Sequence, residues 1–406
     1  MMVPRKLWLV ALLACVLTVS IVRAEDPFTL TAQTTSGAAG SASASSNNVV
    51  DLVGNLINTE DDFAALQNRS ISGSLRYGGV NDAVLFTRNA SGNSATITIP
   101  STGFSKTFTA DNQNDLEDQI RDFFEKDGAD AYADFLREIN RLSTIGVTDG
   151  NPLATTAILA DMGFYRFGFR TRGPGDDALR LPGGWDLKLM GGVNDSDDSD
   201  GYFAGLGLAK NFNFGERVSV VWANNFRYRN VEGADIYQVG TTLGLPISLI
   251  RAKADGGLSW HVTPAFVAGF GGSWDLAAGG VLIGGQITSS LAYHHGGWTI
   301  AMGNQIGFFE GTPITWSDFR FDTNTSQQIV KNGIQVIRDI GDGGFVDVGV
   351  AYTNLLDDAA VDNYISPTVG LGLYFGESSI VRIGYQGDFA DNYTAHGGNV
   401  SFLFAF

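Results

Sequence analysis

Val218-Ser219-Val220-Val221-Trp222-Ala223-Asn224-Asn225-Phe226-Arg227-Tyr228-Arg229 is the stretch whose reading decides the fold. Val218, Val220, Trp222, Phe226 and Tyr228 share one parity, and Ser219, Ala223, Asn225, Arg227 and Arg229 share the other. Successive side chains of a strand point to opposite faces. The segment is therefore a strand with an aromatic and aliphatic face backed by a polar, arginine-bearing one. A soluble sandwich turns its rings to a dry core, whereas rings on one side and arginines on the other suit hydrocarbon outside and water inside.

The same alternation recurs in both directions. Tyr165, Phe167 and Phe169 alternate with Arg166, Gly168 and Arg170, and Trp185, Leu187, Leu189 and Val193 with Asp186, Lys188, Gly192 and Asn194. Trp260, Val262, Phe266 and Phe270 oppose Ser259, His261, Thr263 and Gly269; Val369, Leu371, Leu373 and Phe375 oppose Thr368, Gly370 and Gly372. Each run has about nine residues or more, the length a tilted membrane strand needs. Rings gather toward strand ends at Trp185, Tyr202, Tyr228, Trp298 and Tyr352, as interfacial girdles do.

Composition agrees. The 406 residues include 52 Gly, 27 Phe, 12 Tyr and 7 Trp, only 17% are charged, and no stretch after the N-terminus approaches a spanning helix. In a bilayer every backbone polar group is bonded internally, so a chain without such helices spans only as a closed barrel. A net charge of −17 argues against nucleic acid as partner.

Strand segments start near residues 162, 185, 202, 218, 236, 258, 281, 298, 328, 345, 364, 378 and 397. Thirteen is odd, and single-chain bacterial barrels have even numbers. Thr315-Trp316-Ser317-Asp318-Phe319-Arg320-Phe321 supplies a further strand, which makes about fourteen. Twelve stays open, because Asp195 to Gly201 makes a long acidic turn on the periplasmic side of a fourteen-stranded barrel.

The N-terminus reads as an export signal over 1–24: Arg5 and Lys6, an apolar run from Leu7 to Val22, and Val22-Arg23-Ala24 before a mature start near Glu25. Leu12-Leu13-Ala14-Cys15 loosely matches a lipoprotein pattern, the alternative; with cleavage near Glu25 the mature chain has no cysteine. Residues 25–48 hold a Ser/Ala/Gly/Thr-rich tract read as a flexible linker. Residues 49–145 read as a small α+β unit, periplasmic or plugging the barrel. It has a helix from Asn48 to Leu66 and strand pieces between Ser70 and Ala110. A second helix is capped at Asn114 three residues before Glu117, and a third carries Tyr132, Phe135, Leu136, Ile139 and Leu142 on one face. The barrel is expected over 150–406.

Little chemistry beyond a pore is legible. His294-His295 sits at a strand end with its rings on opposite faces, which speaks against a shared metal. His261 faces the lumen between Ser259 and Thr263 without a hydrolase motif. Asp195, Asp197, Asp198 and Asp200 resemble a calcium loop, but Ser196 and Gly207 stand where ligands belong. No catalytic residue, metal or cofactor is expected. Arg166, Arg170, Arg227, Arg229 and Arg382 share inward parity, as in pores that select anions. Asp186, Asp347 and Asp388 are placed to neutralise them, and both readings stand.

The final Gly397-Gly398-Asn399-Val400-Ser401-Phe402-Leu403-Phe404-Ala405-Phe406 resembles the C-terminal signal of Gram-negative outer-membrane barrels, with Phe402, Phe404 and Phe406 as its marks. The resemblance implies outer-membrane lipid and the barrel-insertion machinery as partners. Gly150-Asn151-Pro152-Leu153-Ala154 resembles, with Leu153 interrupting it, the Asn-Pro-Ala segment before the barrel in FadL- and TraF-like proteins. That family implies fourteen strands obstructed by an N-terminal segment. The leading expectation is an outer-membrane channel or passive transporter for small solutes, with FadL-like uptake of apolar molecules as a narrower variant. The alternative is a barrel anchor similar to autotransporters, which thread a helix through a twelve-stranded pore; the helix over Ala131 to Leu142 is then the threaded one.

Overall fold

The computed structural model describes residues 26–36, 40–58, 61–125, 127–164, 184–197, 199–215, 217–252, 256–316, 319–321, 324–375 and 379–405. The export signal, Cys15, Arg166, Arg170 and Phe406 lie outside them.

The barrel is an antiparallel meander of β7 (Gly184–Ser196), β8 (Asp200–Phe214), β9 (Val218–Val231), β10 (Ala234–Gly244), β12 (Gly257–Ser273), β13 (Ala278–His295), β14 (Trp298–Thr312), β17 (Ser326–Asp339), β18 (Gly344–Leu355), β19 (Asn363–Phe375), β20 (Ser379–Ala390) and β21 (Tyr393–Ala405). Each strand pairs with its chain neighbours, and β21 returns to β7 with Val400 opposite Leu189. A short extra strand, β11 (Ile247–Ile250), continues β10 past Leu245 and Pro246. Gly244 faces Ala265 and Ile247 faces Val262, so the register is unbroken and the interruption sits at a proline, which has no N–H to give the ladder.

The alternation has the outcome its chemistry requires. Trp222 (43% exposed), Phe266 (57%) and Val348 (54%) stand on the outer wall, while Arg227, Arg229 and Arg382 are buried on the inner one. Exposed apolar side chains run round the whole circumference, far beyond the few hundred Å² a soluble monomer tolerates, and hydrocarbon is the solvent that accepts them. Trp185, Trp260, Trp298 and Phe404 ring the rim where the strands begin and end (the near rim), and Tyr202, Tyr237, Phe308 and Tyr352 ring the opposite (far) rim.

The strand count is twelve, the lower of the two expected values. Met162 to Phe164, read as the start of a first strand, end a helix instead. Residues 314–321 hold a hairpin of two three-residue strands, β15 (Ile314–Trp316) and β16 (Phe319–Phe321), pairing only with each other. Three residues fall well short of the roughly nine needed to cross. Losing both strands keeps the number even and moves the Asp195–Gly201 turn to the far rim, which removes the misfit noted in the sequence.

The described residues of the expected linker, 26–36 and 40–48, are largely strand. β1 (Phe28–Thr34) and β2 (Ser41–Ser46) join β3 (Ile71–Tyr77), β4 (Val80–Arg88), β5 (Ser94–Ile99) and β6 (Phe104–Thr109) in one antiparallel sheet, ordered β2-β1-β3-β4-β5-β6. Ser41-Ala42-Ser43-Ala44-Ser45 alternates with period two, but with methyl groups too small to register as an apolar face; Ala42 and Ala44 pack against the core. The expected helix over 48–66 divides into α1 (Val49–Asn58) and a 3-10 turn (Asp61–Leu66). α2 (Gln113–Glu125) is capped by Asn112, whose Oδ1 accepts from Asp115 N at 3.0 Å, two residues before the expected Asn114. α3 (Ala129–Leu142) buries Phe135, Leu136 and Ile139, whereas Leu142 is exposed, its turn lying beyond the contact.

Val348→Arg, near the middle of the outer wall, is expected to destabilise the barrel by about 2–4 kcal/mol in a bilayer. Urea unfolding in lipid vesicles measures it; an effect under about 1 kcal/mol would place that face away from hydrocarbon.

Candidate functional site: a helix seated in the barrel

α4 (Thr155–Phe164, TTAILADMGF) buries residues on every side, including Thr155, Ile158, Leu159, Ala160 and Phe164. Helices apolar all round belong in interiors, and this one lies in the lumen against β10, β12, β13, β14 and β17. At 1.5 Å per residue it is about 15 Å long.

The wall is notched to receive it. A Cβ on Gly240 or Gly269 would stand 2.8 or 3.1 Å from Leu159, one on Gly271 2.2 Å from the Thr155 hydroxyl, and one on Gly333 3.1 Å from Phe164. The helix returns the fit at Gly163, where a Cβ would stand 2.1 Å from Gln286. Polar ties close the seat. Gln305 Nε2 donates to Ala160 O at 2.9 Å, Gln238 Nε2 to Leu153 O at 2.9 Å, and Lys331 pairs with Asp161.

The approach to α4 is equally specified. Gly150 has φ +85°, and a Cβ there would stand 2.0 Å from Asn140 O, so only glycine fits. The fully buried Asn151 donates to Gly146 O at 2.8 Å while its Oδ1 accepts from Leu153 N at 2.9 Å and Arg229 Nη1 at 3.4 Å. Thr144 Oγ1 lies 2.7 Å from Ser196 Oγ, in the far-rim turn. The chain thus enters at the far rim, and α4 carries it down the lumen to where Lys331 and Gln305 hold it. β7 then begins at the near rim.

The N-terminal sheet sits over that entrance. Tyr77 OH donates to Leu276 O and Tyr132 OH to Ala277 O, both at 2.6 Å, Asn47 Nδ2 to Gly233 O at 2.9 Å, and Val49 N to Asp275 O at 3.0 Å. Burial raises both phenols, so they remain neutral donors. Phe28, Tyr77 and Phe135 share one core with Val231, Ala234 and Ile236 of the barrel.

The arginines read from parity divide by role. Arg229 reaches Thr144 O at 3.2 Å as well as Asn151 and so grips the entering segment. Arg382 is bidentate to Asp347, at 2.9 and 2.7 Å, with Asn399 Oδ1 at 3.1 Å, which is a brace within the wall. Arg227 lies over Phe203, 5.2 Å from the ring centroid. His261 Nδ1 is 3.0 Å from Ser248 Oγ near the other rim. His294 is buried between Ser259 and Thr299 and His295 stacks outside on Tyr293. Phe402 and Phe404 are stacked on β21 at 6.4 Å. Of the charged residues, α4 gathers Asp161 to Lys331.

On the side away from the notches, β7–β9 and β17–β21 and the helix enclose a cavity of about 190 Å³. The helix of α3, expected as the threaded one, lies outside at the far rim. The sequence shows no helix at α4 because ten residues buried on nearly every side carry no 3.6 period; the signal present was glycine at inward positions, where a wetted wall has no need of it.

No protein-family model and no curated protein matches this chain. Among solved structures, the β domain of the Bordetella autotransporter BrkA is 12% identical with a TM-score of 0.39, over 55% of this chain and 100% of that one. The translocator domain of autotransporter NalP from Neisseria meningitidis is 13% identical with a score of 0.38, over 70% and 99%. The Pseudomonas putida toluene transporter TodX is 10% identical with a score of 0.33, over 56% and 90%. Nothing of function rests on likeness this distant.

Two outcomes are expected. Gly269→Leu fills the notch under Leu159 and unseats α4, raising proteolytic cutting within 143–164 of the folded barrel by at least tenfold. Asp149, buried at the entrance with Asn140 Nδ2 at 2.5 Å, has its carboxyl pushed up to about 6 by burial. Its folded value exceeds the unfolded one near 3.9, so the seat is at full strength below about pH 4 and weakens as pH rises to 6, by on the order of 3 kcal/mol. Amide exchange in 143–154, corrected for intrinsic rate, should show more protection at pH 5 than at pH 7, and Asp149→Asn should abolish the difference.

Proposed function

We propose that this chain is an outer-membrane barrel that anchors its N-terminal domain, residues 28–142, at the outer mouth, in the autotransporter-like manner. One observation carries the reading: the polypeptide enters the lumen from that domain as α4, and the first barrel strand begins at the opposite rim. The longest connection, 313–325, lies at the domain's rim with 356–362 and the tight turns 232–233 and 391–392, and the opposite rim carries 251–256 and the short turns 296–297 and 340–343. Outer-membrane barrels keep their longer loops outside, so the domain faces the exterior and β21, with its Phe402 and Phe404, ends on the periplasmic side. Outer-membrane lipid and the insertion machinery are the partners in this reading.

A second reading, a conduit for small solutes stoppered by α4, is favoured by the cavity beside the helix, lined by Asp186, Lys188, Arg227, Arg382 and Asp388. These charges suit polar rather than hydrocarbon cargo, against the FadL-like variant.

Protease added to intact cells should remove residues 28–142 and leave a barrel core that keeps its heat-modifiable mobility. Full protection of the domain would reverse the orientation. In planar bilayers the intact chain should conduct little, and steady open-pore current from it would favour the conduit.

A further inference from the structure

We propose that the lumen cavity beside α4 is a binding site for a small monocarboxylate, seated on Arg227. Arg227 is only 7% exposed and lines the cavity. Its partners are the Met190 sulfur at 3.7 Å and the Phe203 ring, and its Nε has no hydrogen-bond partner. Among the described residues no carboxylate pairs with it. Asp161 and Asp388 act on it only across space; a buried guanidinium with no carboxylate in direct contact is costly, and its planar fork of donors matches one.

Two of the neighbouring cations are committed elsewhere, and Lys188 lines the same space beside Asp186. Lys331 pairs with Asp161, and Arg382 with Asp347. Asp388, which accepts from Ser366 Oγ at 2.6 Å, lines the same space with Asp186. These carboxylates repel a dianion, so one negative charge is the limit. Asn225, also on the cavity wall, has a buried Oδ1 without a partner. It awaits a donor, which a hydroxyl or ammonium next to the carboxylate supplies. Leu153, Met190 and Phe203 offer a short apolar contact. A volume of about 190 Å³ is on the order of ten times the ~10–15 Å³ that one water needs on the same measure, and so admits a small solute. The ligand class is thus a short hydroxy or amino acid.

The site depends on neither the orientation in the membrane nor open conduction. Its test uses the full chain folded in detergent, titrated calorimetrically with glycolate, lactate and glycine, and with inorganic phosphate at pH 8 as the dianion. Saturable binding of a monocarboxylate is expected, weakened at least tenfold by Arg227→Gln and less by Arg227→Lys, with phosphate binding at least tenfold weaker. Ala223→Leu, which fills the cavity without touching the guanidinium, should abolish binding even if Arg227→Gln does not fold. Absence of binding by the parent chain, unchanged affinity in the folded Arg227→Gln or Ala223→Leu variants, or phosphate bound as tightly as lactate would each overturn the proposal.

Discussion

Everything in this molecule depends on the ladder between β21 and β7. Hydrocarbon offers no partner to a backbone amide or carbonyl, so an open sheet edge inside a bilayer is prohibitively unfavourable. Pairing Val400 with Leu189 joins the last strand to the first and removes both edges at once. With closure secured, the period-two pattern has a single satisfactory solution: rings outward at Trp222 and Phe266, polar groups inward at Arg227 and Gln305.

Closure also creates an interior that twelve strands do not fill with their own side chains. The chain fills much of it with α4, and the fit is reciprocal. Wall glycines at 240, 269, 271 and 333 make room for Leu159, Thr155 and Phe164, while Gln238, Gln305 and Lys331 satisfy polar groups on and beside the helix. An interior helix so held ties the far-rim domain to the barrel through covalent chain, hydrogen bonds and a shared core around Tyr77 and Ile236. Anchoring follows from that continuity rather than from any one strong contact.

The inward arginines show why parity alone under-determines function. Arg229, Arg382 and Arg227 are equivalent in the sequence pattern, yet one grips the entering segment, one braces the wall against Asp347 and one faces a cavity without a carboxylate partner. Their differences come from groups 17 to 85 positions away, such as Asn399, Asp347 and Thr144. Such distances are beyond any local pattern.

The sequence by itself determined the class of fold, the faces of β7, β9, β12 and β19 and twelve of the strand positions, because alternation is a local property enforced by the two solvents. Tertiary structure alone decided that the count stops at twelve, that Ser41 to Ser46 is a strand and not a tether, and that Thr155 to Phe164 is a helix within the lumen. Those segments have weak or ambiguous periodicity. Their conformation is set by the surfaces they meet: the β1 edge for one, and a glycine-notched wall for the other.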